Sequence, residues 1–118
     1  MQDLSTRTQA FALRIIKLFS SLPKSTEAQV LGKQLLRSGT SVGAHYREAV
    51  RARSKNEFVA KIDAGLQELE ESLYWLELIL LSNIFTEKQL SELMKEGKEL
   101  TAILITVSKN TKAQMTKI

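Results

Sequence analysis

Six cations crowd one short stretch of this chain: Lys33, Arg37, Arg47, Arg51, Arg53 and Lys55. A guanidinium offers a planar fork of N–H donors that matches the oxygens of a carboxylate or a phosphate. Over residues 33–61 these cations, with Lys61, meet only Glu48 and Glu57. From residue 62 to 99 the sign reverses. There Asp63, Glu68, Glu70, Glu71, Glu77, Glu87, Glu92, Glu96 and Glu99 face only Lys88, Lys95 and Lys98. The net charge of +4 is mild, but a molecule segregated in this way can steer an anion to one side. On a helical wheel Lys33, Arg37, Arg47 and Arg51 fall within an arc of roughly 80°. Thr40 and Ala44 lie between them. At 1.5 Å per residue the stripe is about 27 Å long, enough for a phosphate backbone to follow.

Two readings of the stripe stand at this point. The cations contact a polyanion, or they pair with the acidic residues of the later helices, within a chain or between chains. Tyr46 is the one aromatic nearby and points toward the core side, so base stacking is not indicated. Nucleic-acid binding here would be backbone-directed and strongly salt-dependent.

Other chemistry finds little support. His45 is the sole histidine and there is no cysteine. A catalytic triad would have to use His45, which flanks the core side of a helix and reads as a packing or hydrogen-bonding residue. A di-iron bundle needs a Glu-x-x-His pair from each of two helices, whereas His45-x-x-Glu48 is reversed and unique. Glu68, Glu70 and Glu71 read as a solvated helix face. Ser38-Gly39-Thr40-Ser41 lacks the spacing and the lysine of a phosphate-cradling loop. The expectation is a protein that is not an enzyme, with no metal and no cofactor.

The elements that position the stripe are helices. One proline and five glycines in 118 residues leave few breakers, and one domain of this length can bury a real core. The apolar period predicts helices at about 4–21, 26–52, 55–81 and 87–109, followed by a frayed basic tail at 110–118. Phe11, Ile15, Leu18, Phe19 and Leu22 line the first helix, which ends at Pro23. Thr26-x-x-Gln29, Ser54-x-x-Glu57 and Thr86-x-x-Gln89 are capping-box patterns opening the other three. The second helix is expected to run through Ser38–Ser41, with a kink possible there, because its apolar stripe keeps phase across the glycines. Its edge between the core and basic faces is bare, consisting of Gly32, Gly39 and Gly43, where another helix can come close. Short connections then give an all-α, antiparallel up-down-up-down four-helix bundle.

Residues 74–81 are apolar nearly all round the helix, with Glu77 the exception, and Ile103-Leu104-Ile105 repeats the pattern. A helix apolar on every side must be covered on a second one. Tyr74, Trp75, Leu78, Ile79, Ile103 and Ile105 are therefore expected at an interface between copies, the alternative being a wide core stripe or a docked tail. The absence of cysteine, of a signal pattern in MQDLSTRTQAFALRIIKLF and of a membrane-length apolar run predicts a cytoplasmic protein without membrane contact.

QLLRSGTSVGAHYREAVRARSKNEFVAKIDAGLQELEESLYWLELI resembles the bacterial four-helix bundle proteins named after the 23S ribosomal RNA intervening sequences in which some are encoded. The likeness covers residues 26–81 in motif detail, and its most specific part is LRSGTSVGAHYREA followed by S-x-x-E-F. His45 stands where asparagine is more usual. The resemblance implies an antiparallel bundle assembled into a ring-shaped homopentamer, accessory rather than catalytic in character. One branch is similar to accessory proteins of diversity-generating retroelements, which use a basic barrel to engage a reverse transcriptase and nucleic acid. Carried over by position, Arg37, Arg47, Arg51 and Arg53 are the implied contacts with RNA or DNA.

Overall fold

A side-chain cap opens every helix in the computed structural model, which describes residues 3–116. Asp3 caps α1 (Leu4–Ser20), Ser25 caps α2 (Thr26–Val50), Ser54 caps α3 (Lys55–Leu81) and Thr86 caps α4 (Glu87–Met115). Each cap oxygen accepts from a backbone N–H that would otherwise lack a partner in the first turn. Thr86 and Gln89 form the full reciprocal box. At α3 the Glu57 N–H donates to Ser54 Oγ, while the Glu57 carboxylate accepts from the Arg53 N–H instead of closing the box. The box expected at Thr26 is displaced by one residue: Ser25 is the cap, and Gln29 donates its amide to the Pro23 carbonyl at 2.8 Å.

No strand occurs among the described residues, and the four helices pack against one another in sequence order. Cross-helix pairs show the sense of each neighbour. Ile15 meets Gly39 while Thr8 meets Gly43. Ser38 Oγ lies 2.8 Å from Ser72 Oγ, while His45 packs on Gly65. Leu73 meets Gly97, while Ser108 donates to Asp63. Rising numbers on one helix meet falling numbers on the next, so consecutive helices run antiparallel. The rod measures 55 × 22 × 21 Å. Its core is a column of Phe11, Ile15, Leu35, Val42, Ile62, Leu69, Leu76, Ile79, Leu90, Leu100 and Leu104.

The helix α2 is unbroken through Ser38–Ser41. Thr40 and Ser41 return their hydroxyls to the Leu36 and Arg37 carbonyls, so these polar side chains stay within the helix. The chain leaves α3 through a Schellman turn. Asn83 N–H donates to Leu80 O and Ile84 N–H to Ile79 O, with Asn83 at φ 60°. Asparagine tolerates that left-handed position better than most residues.

One boundary differs from expectation. The tail expected to fray from residue 110 continues α4 to Met115; residues 117–118 lie outside the described part. Ala113 and Gln114 favour helix. Lys112 Nζ reaches Asp63 at 3.1 Å, and the same carboxylate accepts from Ser108 Oγ at 2.7 Å, pinning this stretch to α3.

Candidate nucleic-acid interface

The glycine edge of α2 seats α1. A Cβ on Gly32 would collide with Leu22 and Phe19, and one on Gly39 with Ile15; one on Gly43 would lie 3.1 Å from Thr8 Oγ1. These three glycines let α1 approach along most of its length. Leu35, Ser38, Val42 and Ala49 are buried toward the core. With one side taken by α1 and another by α3, the face left to solvent carries Lys33, Arg37, Arg47 and Arg51, all exposed. Arg53 and Lys55 are exposed at the α2–α3 turn.

Arg37 departs from the others. Its Nη1 lies 3.2 Å from a Glu68 oxygen and its Nη2 2.9 Å from Glu71, so its fork spans the α2–α3 seam. That pairing ties Arg37 to α3 while its side chain stays half exposed, and it shows Glu68 and Glu71 to be bridging groups. Among the described residues no charged side-chain nitrogen of Lys33, Arg47, Arg51, Arg53 or Lys55 has a carboxylate oxygen within 4.0 Å. The turn end of the face is mixed, because Glu48 and Glu57 share a shallow depression with Arg51, Arg53 and Lys61. Toward α1 the face borders a groove of about 370 Å³ lined by Thr8, Thr40, Gly43, Ala44 and Arg47.

His45 is half-buried and committed. Its Nδ1 sits 3.0 Å from Glu48 Oε1, and Lys61 Nζ approaches the same oxygen at 3.6 Å. The His45 hydrogen bond, and then the Lys61 charge, hold the Glu48 carboxyl below its ordinary range. Tyr46 packs against the core, and burial pushes its phenol up. No group of three or more His, Cys, Asp or Glu side chains close enough to hold a metal occurs among the described residues. Among the described residues no helix is long and apolar enough to cross a membrane.

The residues expected at a subunit interface divide between surface and core. Tyr74 is exposed and Leu78 partly so, on the outward side of α3. Ile79 is fully buried in the core and is corrected to a packing residue; the core stripe of α3 passes through Leu76 and Ile79. Trp75 is partly buried, its ring 5.2 Å from that of Tyr74, and its indole N–H is buried without a partner among the described residues. Ile103 is half-buried, and Ile105 is exposed beside Leu66 in the α3–α4 seam. Two exposed apolar residues of α1, Leu13 and Ile16, escaped the sequence reading. Both lie off the Phe11–Ile15–Leu18 stripe, a signal the helical wheel already held. The seam between α1 and α4 also went unforeseen. Arg7 Nη2 and Nε grip Glu96 at 2.6 and 3.1 Å, and the hydrogen bond to Glu96 raises the guanidinium pKa above its ordinary value.

A profile of the 23S rRNA-intervening sequence protein family matches residues 2–106. The chain belongs to that family. Its fold is similar to the crystal structure of a protein of unknown function from the S23 ribosomal protein family of Bacteroides thetaiotaomicron VPI-5482. The two share 36% sequence identity at a TM-score of 0.86, over 91% of this chain and 99% of the other. No curated protein matches the chain. The glycine edge and the basic face of α2 lie inside the region that the family profile covers.

Proposed function

We propose that this family member is a non-enzymatic accessory factor that assembles with copies of itself and binds the backbone of RNA or DNA along the exposed face of α2. One observation carries the reading: the side chains of Lys33, Arg47, Arg51, Arg53 and Lys55 are exposed and form no ion pair among the described residues. Cations left free in this way can neutralise phosphates and release their counterions. The face lacks aromatic side chains, so contact is with the backbone, with little sequence readout. Arg37 braces α2 on α3 and takes no part in it.

The ring of five copies is the assembly expected from the family resemblance. Where the protein serves a retroelement, a reverse transcriptase is the partner expected beside it, in the cytoplasm. The second reading, a scaffold whose arginines serve pairing, draws support from the Arg37–Glu68–Glu71 bridge.

Fluorescence-anisotropy titration with a short RNA and a short duplex DNA separates the two. Binding that falls steeply with salt, and disappears in Arg47→Glu with Arg51→Glu while the assembly persists, supports the accessory factor. Loss of the assembly in that variant, or no binding at low salt, supports the scaffold.

A further inference from the structure

Two apolar strips on this molecule face solvent, and they carry opposite charge. On α1, Leu13 is 59% exposed and Ile16 43%. The helix α1 holds no carboxylate; on the side of the strip toward α4 stand Arg14 and Lys17, exposed and without an ion pair among the described residues. On α3, Tyr74 is 53% exposed and Leu81 66%, with Leu78 between them at helical spacing. From residue 62 to 81 α3 holds carboxylates and no cation, and Glu70 and Glu77 stand exposed beside the strip. The helices α1 and α3 are not neighbours in the bundle, with no Cα of one within 8 Å of a Cα of the other, so their two outward strips cannot cover one another within a chain.

We propose that the outer face of α1 in one copy docks on the outer face of α3 in the next, with Arg14 and Lys17 set against Glu70 and Glu77. This inference rests on the self-association in the reading above and names the surfaces that produce it. Like-with-like contact is disfavoured at either strip, because it would place Glu70 and Glu77, or Arg14 and Lys17, against their own copies. A contact between two different faces is head-to-tail, and it repeats from copy to copy. It also leaves α2 uncovered, so every added copy contributes another basic face to the same assembly.

The test is charge reversal followed by light-scattering mass at micromolar chain concentration. All four charged positions are exposed, and circular dichroism checks that each variant keeps its helices. Arg14→Glu with Lys17→Glu is expected to reduce the mass to one chain, and so is Glu70→Lys with Glu77→Lys. The four changes in one chain restore opposite charge across the contact and are expected to restore the wild-type mass. A wild type that is itself monomeric overturns the self-association reading and the docking together. A wild-type assembly that survives both double variants, or a fourfold variant that stays monomeric, overturns the docking alone.

Discussion

Gly39 and Gly65 sit in the middle of neighbouring helices, and replacing each with alanine is expected to move stability in opposite directions. Either change gains about 1 kcal/mol of intrinsic helix preference. At Gly65 the added Cβ would lie 3.5 Å from His45 Cβ and 3.6 Å from the Val42 carbonyl oxygen, ordinary contact distances. At Gly39 it would run into the Ile15 side chain, with Ile15 Cγ2 at 3.3 Å and Cγ1 at 3.4 Å also crowding it. Ile15 is fully buried in the core cluster, so its terminal methyl must move against core neighbours rather than into solvent. Overpacking of that kind costs about 1–3 kcal/mol. Gly65→Ala should therefore gain up to about 1 kcal/mol, and Gly39→Ala should lose about 1 kcal/mol, a gap of roughly 2 kcal/mol. Urea unfolding at fixed chain concentration reads the difference as a shift in midpoint at unchanged slope. Shortening the obstacle supplies a control: in Gly39→Ala with Ile15→Val the two penalties should fall short of their sum by about 1 kcal/mol. Equal stability of the two alanine variants, or strict additivity in the double variant, would refute a close α1–α2 approach at Gly39.

Arg7→Met should destabilise by about 1 kcal/mol, because it removes a two-pronged, partly buried bridge from the thin α1–α4 seam; thermal unfolding measures it. Thr86→Ala removes the reciprocal cap of α4 and should cost about 1 kcal/mol in the same assay. Asp63→Ala releases Ser108 and Lys112 together, and faster amide hydrogen exchange over residues 109–115, with little change in α2, is the expected signature. Because Glu48 has a folded-state pKa below its unfolded one, its contribution to stability is present above the unfolded value and is lost as pH falls through the folded value. Glu48→Gln should accordingly flatten the acid limb of the urea midpoint against pH, and an unchanged limb would contradict the His45–Glu48–Lys61 arrangement.

Much of the fold was legible because local chemistry and long-range packing agree. Ser54 and Thr86 announced the starts of α3 and α4, and the phase of Leu35, Ser38, Val42 and Ala49 carried α2 across its glycines. The bare edge of Gly32, Gly39 and Gly43 foretold a close helix, which is α1 of the same chain. What the wheel could not supply was partnership between helices. Arg37 looked like its neighbours until α3 placed Glu68 and Glu71 beside it. The continuation of α4 to Met115 depends on Asp63, 45 residues before Ser108, and no local pattern records that. Ile79 belonged to an all-apolar run in which only the packing of α3 decides which side is core. Leu13 and Ile16 lie off the buried stripe of α1, and its period says nothing of apolar residues left on the outer face.

The salt dependence of RNA affinity tests the central claim most directly, read as log Kd against log salt concentration for wild type, Arg37→Gln, and Arg47→Gln with Arg51→Gln. Each phosphate contact to a single strand contributes about 0.7 to that slope. The account predicts a slope lower by about 1.4 when Arg47 and Arg51 are removed, and an unchanged slope for Arg37→Gln, whose guanidinium is already held by Glu68 and Glu71. A slope that is the same in all three proteins, or that falls with Arg37 and not with Arg47 and Arg51, would contradict it.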